Sequence, residues 1–106
     1  MLKPFTRQDW YGYAGACKLA DGREPLIAHV GPYAIIVSGD DASNSQTLVE
    51  VTVTSEDGEM RFSRRIFKPV YYSQEFHKGV DAAEKYGNFL AANPELIESL
   101  ETFELA

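Results

Sequence analysis

The most regular alternation of apolar and polar side chains in the chain is LVEVTVTS, residues 48–55, with Val49, Val51 and Val53 on one face and Glu50, Thr52 and Thr54 on the other. A period of two is the signature of a half-buried strand. Upstream, LIAHV (26–30) and YAIIVS (33–38) read as two further strands, and Gly31-Pro32 between them as a tight reversal. Downstream, Asp57-Gly58 closes a hairpin into EMRFSRRIF (59–67), a fourth strand whose Met60, Phe62 and Ile66 share a face with Arg64. An arginine on an otherwise apolar side predicts either a bulge near Ser63 or an end of the strand before Arg64. Pro69 stops the ladder because it has no N–H to give. VYYSQEFH (70–77) then reads as an edge strand or as an irregular approach to a helix.

Helical spacing governs both ends of the chain. Thr6-Arg7-Gln8-Asp9 has the form of a capping box with aspartate in place of the usual glutamate, and Phe5 and Trp10 occupy the positions of a hydrophobic staple. Trp10, Ala14 and Cys17 continue at helical spacing, although Gly12 and Gly15 each cost about 1 kcal/mol relative to alanine, so this helix should be short. Asp21-Gly22 marks a turn in ADGREP (20–25), and GDDASNSQ (39–46) reads as an exposed loop. A second helix is predicted over 79–92, with Val80, Ala83, Gly87 and Leu90 on its buried side. Asn93-Pro94 ends it, the asparagine as a cap and the proline at the first position of a third helix. Leu96, Leu100 and Phe103 would form that helix's buried stripe, opposite Glu95, Glu98 and Glu101. The order helix, four strands, two helices predicts an α+β fold: a four-stranded antiparallel sheet with a short N-terminal helix and two C-terminal helices packed on one face.

The 106 residues, 44% hydrophobic and 25% charged, suit a single α+β domain spanning 1–106, with no internal repeat or low-complexity stretch. Sixteen acidic against ten basic side chains give a formal net charge of −6. That field opposes direct contact with nucleic acid or an anionic membrane and favours a basic partner. Cys17 is the only cysteine, so an intrachain disulfide is ruled out and a reducing compartment fits. The longest apolar run, YAIIV, is too short for a membrane span, and the expected location is cytoplasmic.

The polar residues carry no recognisable signature of catalysis. His29 and His77 have no ligand-spaced neighbours, and no cysteine pair exists, so no metal site is predicted. A Cys17–His29 nucleophilic pair would lack an orienting third group. Asp40, Asp41, Asn44 and Glu50 offer oxygen atoms, but without the alternating ligands and central glycine of a calcium loop. No glycine-rich phosphate loop joins a strand to a helix. The expectation is a protein with no catalytic residues and no cofactor. The alternative is a small-ligand or minor enzymatic domain using His29, His77, Tyr71 and Cys17 in a pocket between sheet and helices.

The remaining features suit a contact surface. Glu101 lies near a helix C-terminus, where the macrodipole favours a cation, so its acidity works slightly against helix stability. With Glu95 and Glu98 it forms a ladder, to which Asp40, Asp41, Glu56, Asp57 and Glu59 from loops and Tyr11, Tyr71 and Tyr72 from WYGY and VYY are added as candidate partner-binding residues. Tyrosine buries a large area and keeps a polar tip, which suits interfaces. At the opposite pole, Arg61, Arg64, Arg65 and Lys68 concentrate positive charge, read as protection of a sheet edge. In size, acidity, single-domain organisation and lack of catalytic motifs the chain resembles small bacterial or phage-encoded inhibitors of the anti-CRISPR and toxin-immunity types. The resemblance implies a DNA mimic that blocks nucleic-acid binding by a basic protein or nucleoprotein complex. A third reading is a homodimer or assembly component paired through the edge near Arg64 and Pro69.

Overall fold

A computed structural model describes residues 1–19, 22–39, 46–55, 63–67, 70–72 and 76–97. Strands β2 (Leu26–Val30) and β3 (Tyr33–Gly39) form a hairpin in which Val30 opposes Tyr33. Only Gly31 and Pro32 lie between, and Gly31 takes φ 57°, a conformation that glycine reaches without steric cost. β4 (Gln46–Ser55) pairs antiparallel with β3 from Tyr33↔Ser55 to Gly39↔Val49. A two-residue strand, β1 (Lys3–Pro4), adds to the free side of β2, and β5 (Ser63–Phe67) pairs with β4. The order is β1-β2-β3-β4-β5, antiparallel throughout.

The bulge expected in the fourth strand lies elsewhere than at Ser63. Val51 opposes Phe67 while Thr52 opposes Arg65, so Ile66 is the extra residue. The strand does not end before Arg64, which pairs with Val53. β6 (Val70–Tyr72) then resumes antiparallel pairing with β4, Val70 opposite Leu48 and Tyr72 opposite Gln46. Of the ambiguous segment 70–77, Val70–Tyr72 are strand and Phe76 and His77 open helix α2 (Phe76–Ala92), while residues 73–75 lie outside the described residues. The Asp57-Gly58 reversal lies outside the described residues.

Two layers of side chains cover the sheet. On one face Val80, Ala83 and Leu90 of α2 pack with Leu26, Ile35, Val37, Val49, Val51 and Val53, and Ile97 from the helical residues 95–97 joins the same cluster. On the other face Phe5 and Tyr13 pack with Ile27, Ala34 and Ile36, with Trp10 and Ala16 at the margin. Phe5 and Tyr13, which flank the N-terminal helix, thus cover the face that α2 leaves open, and the sheet is covered on both sides at β2 and β3. The apolar run YAIIV follows from this, since a strand buried on both faces needs no alternation. β4 alternates because its Glu50 and Thr52 stay half-buried while Val49, Val51 and Val53 are sealed. Each sealed aliphatic side chain contributes about 1.5–3 kcal/mol.

Helix α1 (Arg7–Gly12) is six residues long. The Asp9 carboxylate accepts from the Thr6 N–H at 2.7 Å and from Thr6 Oγ1 at 2.9 Å, fixing its start. Phe5 meets Trp10 edge-on, ring centroids 5.1 Å apart, as the staple requires. The helix stops at Gly12, so Ala14 and Cys17 do not continue its face. Cys17 instead forms a bridge to Gly39, whose N–H donates to the Cys17 carbonyl at 3.0 Å. Gly39, expected in an exposed loop, is buried at the end of β3, where a Cβ would run into the Lys18 carbonyl. Residues 40–45 of that loop lie outside the described residues.

Candidate interaction surface

Helix α2 is held at its C-terminal end by three hydrogen bonds, one distant in sequence and two local. The Leu2 N–H donates to Asn88 Oδ1 at 3.0 Å, tying the N-terminal strand to the helix. Asn93 closes the helix twice, its N–H donating to the Leu90 carbonyl at 3.1 Å and its Nδ2 to the Phe89 carbonyl at 2.9 Å. The chain then turns through Pro94, and the Leu96 and Ile97 amides donate to the Asn93 and Pro94 carbonyls, each at 3.0 Å. Asparagine as the boundary residue is as expected, though it is the α2 carbonyls that its side chain satisfies.

The buried stripe after this boundary is displaced by one residue from its expected position. Ile97 is fully buried and Leu96 is 37% exposed, where Leu96 was expected to face inward. The tight turn at Asn93-Pro94, closed by bonds spanning three residues, rotates the chain relative to an uninterrupted 3.6-residue helix. Leu100 and Phe103 lie outside the described residues. Seven residues before Leu96, on α2, Phe89 is half-exposed, and Ala92 between them is exposed. The sequence pattern held the signal for Phe89: at about 100° per residue it is turned well away from Leu90 and the stripe it ends.

The candidate partner-binding residues do not gather at one place. Glu95 is exposed beside Leu96 on the α2 side of the sheet. Tyr11 is 82% exposed on α1, whose neighbours Trp10 and Tyr13 pack on the opposite face. The sheet therefore separates these two. Tyr71 and Tyr72 fall in β6, opposite Thr47 and Gln46. Glu98, Glu101, Asp40, Asp41, Glu56, Asp57 and Glu59 lie outside the described residues, as do Arg61 and Lys68.

A polar rim borders α1. Trp10 Nε1 donates to Glu24 Oε2 at 2.9 Å, and Lys18 Nζ lies 3.5 Å from Glu24 Oε1. His29 Nε2 lies 3.8 Å from Asp9 Oδ1, setting that histidine against the carboxylate that caps the helix. Cys17 Sγ is 3.9 Å from the Gly15 carbonyl oxygen. His77 falls in the first turn of α2. Among the described residues no cluster of three or more His, Cys, Asp or Glu is arranged to hold a metal ion, and no helix is long and apolar enough to cross a membrane.

The fold and surface define an antiparallel α+β protein with α2 on one side of its sheet and the N-terminal segment, through Phe5 and Tyr13, on the other. Comparison with protein families, with curated proteins and with solved structures finds no match to the chain.

Proposed function

We propose that the protein is a non-enzymatic binding protein of the anti-CRISPR-like inhibitor kind, presenting an acidic surface with exposed apolar side chains to a basic protein or nucleoprotein complex. The observation that carries this reading is that a chain of net charge −6 leaves Tyr11 and Phe89 largely out of its core. Aromatic side chains in water are held at a cost and serve as anchors when a partner covers them. Carboxylates around such anchors form charge-assisted hydrogen bonds with arginines and lysines that otherwise grip phosphates. Blockade then needs no chemistry, only occupation of the partner's basic site, and its strength falls as salt rises.

The test begins with the immobilised protein and a bacterial lysate at low and at moderately high salt. Capture of a basic nucleic-acid-handling protein, lost at the higher salt, is the expected result. The captured protein, purified, should then lose its hold on DNA or RNA when this chain is added. Charge reversal at Glu95, Glu98 and Glu101 should weaken binding and flatten its salt dependence. A blank at low salt, or a captured partner that still binds nucleic acid normally, overturns the reading.

A further inference from the structure

We infer that residues 1–4 are a displaceable strap over a strand-acceptor groove, bounded by the outer edge of β2 and by Gly87 and Asn88 of α2, and that this groove takes an extended partner segment carrying an aliphatic side chain. The resident segment displays what fits. Lys3 and Pro4 lie opposite Ile27 and Leu26, so the edge of β2 offers main-chain pairing that asks nothing of the side chains. Leu2 meets a more selective site. Its N–H donates to Asn88 Oδ1 at 3.0 Å, and its side chain fills the notch left by the missing Cβ of Gly87, beside Val37. Phe5, three residues on, inserts on the opposite face of the sheet, as an extended segment of period two requires. The groove thus selects an aliphatic side chain whose own N–H is free to donate.

The hold on the strap is light. Its pairing with β2 comprises two residues, one of them a proline with no N–H to give. Met1, Lys3 and Pro4 are exposed, which leaves Leu2 as the one half-buried side chain of the four. What the strap covers is deeply placed by contrast: Leu26, Ile27 and Gly87 are all buried. Segments with few buried contacts open at low free energy, and opening here uncovers a strand edge beside an apolar notch, a ready template for another extended chain. A second copy is a poor occupant. Phe5 is 7% exposed in its own molecule and its N–H donates to the Pro25 carbonyl at 2.8 Å, so Leu2 reaches no further than about 11 Å from it. Exchange between copies would have to bring Phe5 of one within that distance of the other's notch, whereas a partner's free segment carries no such tether. The groove is separate from the acidic residues of the binding-protein reading, so either can fail alone.

The probe is a synthetic peptide copying residues 1–5, with a control in which serine replaces its leucine, each titrated into the isotope-labelled full chain and followed by NMR. In the wild type the resident Leu2 competes from a local concentration on the order of millimolar, so the same titrations are made on Leu2→Ser. The leucine peptide should bind Leu2→Ser at least about tenfold tighter than the wild type, with amide shifts centred on Leu26, Ile27 and residues 86–88. The serine peptide should show no such gain. Gly87→Ala added to Leu2→Ser fills the notch and should abolish the preference for leucine. If Leu2→Ser alters the circular dichroism spectrum, the smaller change Leu2→Ala takes its place. Equal affinity for wild type and variant, equal affinity for the two peptides, or shifts centred on α1 overturns the inference. A concentration-dependent dimer that Leu2→Ser abolishes would make the occupant a second copy, and that too overturns it. None of these outcomes touches the salt-dependent capture on which the binding-protein reading stands.

Discussion

Leu2 fills the space beside Gly87 that a β-carbon would need: a Cβ built there lies 2.8 Å from Leu2 Cδ1 and 3.1 Å from Val37 Cγ2. Gly87 sits inside a 17-residue helix, where alanine is ordinarily preferred by about 1 kcal/mol. Here the missing side chain lets the N-terminal strand and β3 approach α2. Gly87→Ala is expected to lower stability by roughly 1 kcal/mol, overpacking outweighing propensity. In a Leu2→Ala background the same change should cost much less. Urea denaturation of the four proteins tests this, and strictly additive effects would mean the two positions do not compete for space.

Gly39 presents a harder version of the same constraint, because its neighbour is backbone. The Lys18 carbonyl occupies the Cβ position and cannot rotate away as a leucine tip can. Gly39→Ala should cost roughly 1–3 kcal/mol by urea unfolding, more than Gly87→Ala. A neutral result would show that the Cys17–Gly39 bridge shifts freely.

The displaced stripe after Asn93 separates two adjacent aliphatic residues. Ile97→Ala should lose about 2–5 kcal/mol, the range for emptying a sealed aliphatic site. Leu96→Ala should stay within about 0.5 kcal/mol, as at an open position. Thermal unfolding of the pair decides the matter, and the opposite ranking would restore the inward-facing Leu96.

Trp10 is the single tryptophan, and its indole N–H donates to Glu24 at 2.9 Å. Glu24→Ala removes that acceptor at a cost of about 1 kcal/mol and should change the tryptophan emission maximum. Glu24→Gln keeps an oxygen acceptor and should restore the emission while losing the Lys18 ion pair. If the two variants behaved alike, the Lys18 contact rather than the indole bond would be the one that matters.

Much of the fold was legible because it is local. Thr6 to Asp9 gave the start of α1, Gly31-Pro32 the hairpin, Val49 to Val53 the inner face of β4, and Val80 to Leu90 the inner face of α2. Each depends on side chains within a few residues of one another, where period and turn chemistry act directly. The contact surface was less legible. Tyr11 and Glu95 were grouped by composition, and the sheet lies between their layers. Phe89 could have been found from its angle on α2, since a buried stripe already implies which aromatic residues it excludes.

The sequence by itself determined the class, the main strands, the start of α1, the end of α2 and the acidic field, because backbone preference, alternation and charge are properties of neighbours along the chain. Only the tertiary structure decided that Phe5 and Tyr13, on either side of α1, cover the face opposite α2, that Ile66 rather than Ser63 takes the bulge, that Gly39 is buried against Lys18, and that Ile97 rather than Leu96 faces inward. These are outcomes of close packing between segments distant in sequence. A period shows that one side of an element must be buried, and the shapes it meets decide what buries it and where the pattern must slip by one residue to fit.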